Sequence, residues 1–163
     1  MKGNEKSENS YRNRKSFGER YEYIAISQLL MKGYDVYKTL VDDQGIDCII
    51  RKLNDSRPCY VDLQIKARSK DSDNPALFAN IKINKPRENY VFLFFSEKLN
   101  KFWIIPSEDL VKIASQNTSG KNKGNYNIDL NSKENSKIIN QYEGDNGFKK
   151  LDKVFENICN ELS

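Results

Sequence analysis

The chain of 163 residues carries a net charge of +4 and no histidine, and its length suits one domain with a single adequate core. The absence of histidine excludes Ser-His-Asp and Cys-His catalysis within the chain, and it excludes zinc held by histidine. No apolar run approaches the roughly 20 residues that span a bilayer, so we expect no membrane partner. The three cysteines form no CxxC pair, which predicts reduced thiols in a cytoplasmic protein.

The first segment, residues 1–16, holds five basic and two acidic side chains, so +3 of the net charge lies there and +1 in the rest. It lacks hydrophobic periodicity, which predicts a disordered polar tail; an arm that contacts phosphate is the alternative. Residues 17–163 form the one predicted domain. A helix opens it, with Ser16 as N-cap, Glu19 at capping-box spacing and Gly33 as the stop.

Three predicted strands follow in the stretches YDVYKTL, GIDCIIRK and RPCYVDLQIKAR. Turn-forming residues separate the last two strands and predict a two-residue hairpin loop between Asn54 and Arg57. Counting back along both strands from that pair places Asp47 opposite Gln64, where the Cβ atoms of antiparallel partners are about 4.5–5.5 Å apart.

Strand alternation gives the third strand a polar and an apolar face. The polar face carries Tyr60, Asp62, Gln64 and Lys66. The apolar face carries Cys59, Val61, Leu63 and Ile65. In the same register Asp47 shares the polar face, whereas Cys48 and Ile50 join the apolar one. An acid, an amide and an amine on one face suit a hydrolytic site better than a core.

The second half of the chain predicts further strands in ANIKIN, YVFLFFSE and KFWIIP, of which YVFLFFSE is apolar enough to be buried on both faces. A short helix then begins at Pro106, with Ser107 as its cap. The segment 116–146 predicts a long irregular excursion. The last helix has an apolar stripe that docks onto the domain, or alternatively forms the seam of a homodimer; it consists of Phe148, Leu151, Phe155, Ile158 and Leu162.

The polar residues around the hairpin match the ligands that magnesium prefers, which are oxygen atoms with only one or two protein carboxylates. Asp47 offers a carboxylate, Gln64 a side-chain carbonyl and Ile65 a backbone carbonyl. Lys66 projects from the face of Gln64, where its ammonium can hold the attacking water and offset charge on the phosphate. Glu22, on the opening helix, adds a second carboxylate or orients water.

The order of these features resembles a known family over about residues 17–68. A helix with Glu22, a strand, the segment DQGID, a hairpin and the segment QIK resemble the PD-(D/E)XK, or restriction-endonuclease-like, nuclease superfamily. The branch with Gln in the third motif, as in Mrr-type restriction nucleases, is the most similar, and archaeal Holliday-junction resolvases have a similar opening helix. The resemblance implies an α/β fold with a mixed sheet in the order α-β-β-β-α-β, here followed by a C-terminal helix.

By that resemblance Glu22 matches the helix glutamate, Asp47 the metal-binding aspartate, and Gln64 with Lys66 the (D/E/Q)xK pair. Family members mostly cleave DNA with magnesium, so the resemblance implies a deoxyribonuclease that uses Mg²⁺ or Mn²⁺. The sequence departs from the family where Ile46 replaces the usual proline and Gln64 replaces a carboxylate.

Secondary candidates surround the main four residues. The acidic ones are Glu19, Asp43 and Asp62. Asp62 either compensates for the missing charge of Gln64 or pairs with Arg51. The expected DNA phosphate contacts are Arg68 and Lys70.

Two other functions remain open from the sequence. One is a catalytically degenerate family member that binds nucleic acid or a protein partner without cutting, which the near-neutral body favours. The other is a small structural α/β protein in which the motif is accidental.

Overall fold

A computed structural model of the chain describes residues 4–40, 44–54 and 56–160. The elements in these ranges are α1 (Asn4–Met31), β1 (Asp35–Lys38), β2 (Cys48–Asn54), β3 (Arg57–Arg68), β4 (Leu77–Ile81), β5 (Tyr90–Ser96), β6 (Lys101–Pro106), α2 (Ser107–Ile113), β7 (Ser115–Gln116), β8 (Tyr126–Asp129), α3 (Ser136–Ile139), a 3-10 turn (Asn140–Tyr142) and α4 (Gly144–Asn160).

The main sheet has five strands in the order β1-β2-β3-β5-β6. β3 lies at its centre, antiparallel to β2 and parallel to β5, so the sheet is mixed. The hairpin register is confirmed from the Asn54–Arg57 pair to the Cys48–Leu63 pair. The mixed sheet and the C-terminal helix confirm the predicted fold class. The predicted order differs in one place, because residues 69–89 hold β4 rather than a helix between β3 and β5.

The two faces of the main sheet bury two separate cores. On one, which we call the helix face, the apolar side chains of β3 pack against α1 and α4 through residues such as Leu29 and Leu151. On the other, which we call the opposite face, β5 and β6 pack beneath a second sheet of order β4-β8-β7 and beneath α2. Side chains buried to this degree contribute about 1.5–3 kcal/mol each relative to exposure.

Helix α1 ends where the sequence predicts and begins earlier. Gly33 has a φ of +85°, and the Tyr34 N–H donates to the Leu29 carbonyl at 3.2 Å, which is the bond that closes a glycine-terminated helix. The predicted start at Ser16 is wrong, because the helix begins at Asn4. Most of the segment expected to be a disordered tail is therefore helical. It contains no proline and several Glu, Lys and Arg residues. Adding such residues to an existing helix costs little free energy, because the unfavourable nucleation step is already complete.

The predicted strands of the second half are confirmed in β5 and β6, but two details are wrong. Ser107 does not cap α2, because its hydroxyl donates to the Arg87 carbonyl and accepts from the Arg87 N–H, both at 2.8 Å. The segment 116–146 is not a single irregular excursion, because it contains β8, which pairs with β4 and brings Ile128 beside Phe78. Both details depend on contacts between distant residues, which local patterns do not show.

The apolar stripe of α4 is buried on the helix face, which confirms docking onto the domain. Phe148, Leu151, Phe155 and Ile158 are each at most 8% exposed; Leu162 lies outside the described residues. No helix in the described residues has the length and apolar character that a membrane span requires.

The cysteines differ from the expectation of three reduced thiols. Cys59 of β3 and Cys159 of α4 form a disulfide with a Cα–Cα distance of 5.9 Å, across 100 residues of sequence. Cys48 is free and buried. The expected cytoplasmic location rested on reduced thiols and loses that support. The pairing arises because α4 docks across β3, a contact that cysteine spacing cannot reveal.

Candidate functional site

Asp47 lies immediately before β2, at the point where the β2–β3 ladder ends. Its backbone N–H donates to the Leu63 carbonyl at 2.9 Å, and its carboxylate Oδ2 accepts the backbone N–H of Ile65 at 2.5 Å. The predicted pairing of Asp47 with Gln64 is therefore replaced by contacts with the residues on either side of Gln64. A charge-assisted bond to a backbone amide of the central strand fixes the carboxylate firmly.

Gln64 points to the opposite face of β3, as strand alternation predicts, and is only 7% exposed. Its parallel partner on β5 is Phe92, which belongs to the core on that face. Its Oε1 lies 3.4 Å from the Tyr90 hydroxyl. That distance is long for a hydrogen bond between two oxygens, so the amide oxygen is only loosely held and can turn to another partner at low cost.

Lys66 and Asp62 flank Gln64 on the same face of β3, beside Phe94 and Tyr90 of β5. Lys66 is partly exposed and forms no ion pair with any residue in the described ranges. Its ammonium is therefore not neutralised by a neighbouring carboxylate there. It lies two residues beyond Gln64 along β3, just past Ile65, whose N–H holds the Asp47 carboxylate.

Asp62 pairs with Arg87 at 3.0 Å. The predicted pairing with Arg51 is wrong, because Arg51 lies 3.7 Å from Asp35 instead. Burial raises the pKa of the Asp62 carboxyl, and the charge of Arg87 opposes the rise. The Asp62 carboxylate is therefore held by an arginine on the face of β3 that carries Gln64.

Glu22 reaches the same end of the sheet from the helix face. Its carboxylate lies 3.0 Å from Lys38 Nζ, and Lys38 is the β1 partner of Cys48. The hydrogen bond from Lys38 to Glu22 raises the pKa of the lysine. Burial, followed by the charges of Asp47 and Glu22, raises the pKa of the Cys48 thiol to about 12. Both carboxylates therefore lie within electrostatic reach of this thiol, and hence near the end of β2.

A cleft of about 770 Å³ opens between α1 and the end of β3. Glu22 lines it together with Arg68 and Lys70, the two expected phosphate contacts. Arg68 also donates from Nε to the Leu77 carbonyl at 2.7 Å, and the backbone N–H of Lys70 donates to Glu97 at 2.9 Å. Gln64 and Lys66 are not among the residues that line this cleft, because they project from the opposite face of β3.

The remaining secondary candidates are less well placed. Glu19 is exposed and does not line the cleft, so the rotation of α1 favours Glu22 over Glu19. Asp43 lies outside the described residues.

The donors at the sheet end fit a hard divalent cation by chemistry. In the described residues no three acidic or thiol side chains come together as a metal site, so a cation there would have to rely on mixed oxygen donors. Asp47 would offer a carboxylate, Gln64 an amide oxygen and Ile65 a backbone carbonyl. Mg²⁺ is commonly bound in this way, by one or two carboxylates with water completing the shell.

Sequence reasoning missed three residues that hold this site together. Thr39 Oγ1 donates to the Ile46 carbonyl at 2.7 Å, Tyr90 donates from its hydroxyl to the Gly45 carbonyl at 3.0 Å, and Lys38 pairs with Glu22. Thr39 lies near the end of a predicted strand and Tyr90 opens one, so nothing local distinguishes them. Only the order of the strands in the sheet brings them to the GID segment.

Comparisons with known proteins bear on the fold. No family model matches the chain, and no curated protein matches it. Among solved structures, the bacterial homing endonuclease I-Ssp6803I is similar, with a TM-score of 0.55 and 16% identity over 90% of this chain and 95% of the other. The chain has an endonuclease-like fold. At this level of identity the likeness extends to the fold and not to the chemistry.

Proposed function

We propose that this protein is a metal-dependent DNA endonuclease of the PD-(D/E)XK type. The observation that carries the proposal is the placement of Asp47, whose carboxylate is fixed on the Ile65 amide between Gln64 and Lys66. Asp, Gln and Lys are also the residue types of the motif that the sequence resembles. The endonuclease-like fold supports the proposal independently.

Each residue has a distinct role in this proposal. Asp47, Gln64 and the Ile65 carbonyl would hold Mg²⁺ or Mn²⁺, which when bound would supply Lewis-acid activation of the phosphate and water. Lys66 orients the attacking water and stabilises the negative charge that develops on the phosphate. Glu22 reaches the end of the sheet from the helix face, and we assign it the orientation of water or a second carboxylate contact.

The substrate phosphate must then lie at the end of the sheet beyond Cys48. Helix α1 packs on the helix face, whereas Lys66 projects from the opposite face. Glu22 and Lys66 therefore act on one phosphate only past the end of β2, where no strand lies between the two faces. Arg68 and Lys70, in the cleft beside Glu22, are suited to hold the DNA backbone leading to that point.

The direct test is incubation of supercoiled plasmid, single-stranded DNA and branched DNA with the protein in Mg²⁺, in Mn²⁺ and with chelator. We expect cleavage of at least one substrate that requires metal and stops with chelator. Cleavage unaffected by chelator contradicts the metal-dependent assignment. Absence of cleavage in every condition contradicts the enzyme.

A second candidate is a nuclease-fold protein that binds DNA without cutting it. The burial of Gln64 at 7% exposure and its contact with Tyr90 favour this alternative, because a buried amide in place of a carboxylate also suits a purely structural role. It predicts salt-dependent DNA binding with no metal-dependent cleavage.

A further inference from the structure

The hydroxyl of Tyr90 joins the two segments that carry the proposed site. Tyr90 is the first residue of β5 and is 5% exposed. Its hydroxyl donates to the Gly45 carbonyl at 3.0 Å and lies 3.4 Å from Gln64 Oε1. One phenol is therefore hydrogen-bonded to the GID segment, which leads to Asp47, and lies beside the Gln64 amide without a second proton to donate to it.

Gly45 is packed against this pair, and a larger residue there would require the Gln64 amide to shift. It has a φ of +70°, and a Cβ at this position would lie 2.7 Å from Gln64 Nε2 and 3.6 Å from the Tyr90 hydroxyl. The missing side chain thus allows the turn to lie directly on the Gln64 amide. A positive φ and a close approach both require glycine here.

The turn that contains Gly45 and Ile46 accepts hydrogen bonds from two directions, one from the end of β1 and one from β5. Thr39, beyond the end of β1, donates to the Ile46 carbonyl at 2.7 Å, while Tyr90 donates to the carbonyl of the preceding residue, Gly45. Together with the bond between Ile65 and Asp47, these contacts leave the turn little freedom to move relative to β3. The position of the Asp47 carboxylate relative to the Gln64 amide then depends on them.

We propose that Tyr90 is a positioning residue that sets the separation between the Asp47 carboxylate and the Gln64 amide oxygen. This inference rests on the proposed function. Tyr90 contacts neither DNA nor cation in this account; it acts through the Gly45 carbonyl, and so through the turn that leads to Asp47 and lies against the Gln64 amide. Groups that orient metal ligands in this way commonly change metal affinity or activity by about 10- to 100-fold when removed.

Tyr90→Phe tests this inference, because it removes only the hydroxyl and keeps the ring, which packs 4.8 Å from Phe92. The matched control is Tyr142→Phe. Tyr142 is 4% exposed and belongs to the same core, but it donates its hydroxyl to Asp109 of α2 at 3.0 Å and not to the GID segment. Both variants remove a hydroxyl that donates a hydrogen bond within the domain, so a general effect on folding should appear in both.

The readouts are Mn²⁺ affinity by calorimetry and the separate kcat and KM for DNA cleavage. We expect Tyr90→Phe to weaken Mn²⁺ binding and to lower kcat by about 10- to 100-fold each, with KM within a few-fold. Tyr142→Phe should leave all three within about twofold of wild type.

The outcomes separate the positioning role from the proposed function. A wild type that binds Mn²⁺ and cuts, with a Tyr90→Phe variant that behaves identically, overturns the role of Tyr90 alone. Equal losses in both variants also overturn it, because they indicate a general cost of removing a buried hydroxyl. A wild type that neither binds Mn²⁺ nor cuts overturns the proposed function and this inference with it.

Discussion

The two ends of β3 are held in different ways. Near its start, Cys59 is joined covalently to α4, and Lys52 of the neighbouring strand pairs with Asp152 of the same helix at 2.7 Å. Near its far end, Gln64 and Lys66 face the opposite side of the sheet, and Asp47 is fixed there by hydrogen bonds to the backbone. The start of β3 thus contributes to stability, and its far end carries the candidate catalytic residues.

This difference predicts that the two ends respond separately to substitution. Changes at the α4 end should lower the free energy of unfolding and leave cleavage by the folded protein unchanged. Changes at the Asp47 end should alter metal binding or cleavage, which changes at the α4 end should not. Four variants test the separation, in order of decreasing expected effect.

The largest effect is expected from removing the disulfide with Cys59→Ala and Cys159→Ala together. Closing a loop of this length restricts the unfolded chain, and the loss should lower the free energy of unfolding by about 2–5 kcal/mol. Denaturant unfolding measures it, with Cys48→Ala as a control that removes a buried thiol but no disulfide. A double variant that stays folded yet loses cleavage contradicts the separation of the two ends.

Lys66→Ala should lower kcat by about 100- to 1000-fold, since one preorganised charge that stabilises the transition state contributes about 2.7–4 kcal/mol. DNA affinity should stay within a few-fold, because the interaction strengthens mainly in the transition state. The exposed Lys137 on α3 provides the control variant Lys137→Ala. In the binding-only alternative, Lys66→Ala instead weakens binding and reduces the salt slope by about one.

Gln64→Glu should tighten Mn²⁺ binding by about tenfold, because a second carboxylate adds charge to the cation site. The same change buries an acid at a position that is 7% exposed, so the protein without metal should become less stable. Calorimetry and thermal unfolding with and without Mn²⁺ give both quantities. Failure of both wild type and variant to bind metal supports the binding-only alternative.

The smallest effect is expected from Asp152→Asn, at the α4 end. Burial alone favours the neutral acid, but hydrogen bonds from Lys52 and Tyr34 and the charge of Lys52 outweigh it and lower the pKa of Asp152. A carboxyl with a lowered pKa stabilises the folded state above its unfolded pKa of about 3.9, and this contribution is lost as pH falls through the folded pKa.

Unfolding experiments at pH 7 and at pH 3 check this expectation. Asp152→Asn should be less stable than wild type at pH 7, and the difference should shrink at the lower pH. A difference that grows as the pH falls contradicts the assigned ion pair.

Local sequence patterns predicted the hairpin, the division of β3 into two faces and the end of α1. Each depends on residues close in sequence, such as the Asn54–Arg57 turn or Gly33 after an apolar stripe. The alternation of polar and apolar residues was sufficient to place Gln64 and Lys66 together on one face.

Apart from the early start of α1, the features that local patterns missed depend on contacts between distant segments. Cys159 reaches Cys59 only because α4 docks across the sheet, and Asp62 meets Arg87 through the loop before β5. Tyr90 reaches Gly45 because β5 lies beside β3 in the sheet. No spacing in the sequence distinguishes these partners from the other residues of the same type.

The central claim is that Asp47 is part of a metal-dependent site that cleaves DNA, and Asp47→Asn tests it most directly. The amide oxygen of asparagine can still accept the Ile65 N–H, so the fold should persist while the negative charge is lost. Cleavage of plasmid and branched DNA, with calorimetric titration of Mn²⁺, should show metal binding and cutting in the wild type and neither in the variant. An Asp47→Asn protein that binds Mn²⁺ and cleaves DNA as the wild type does would contradict the account.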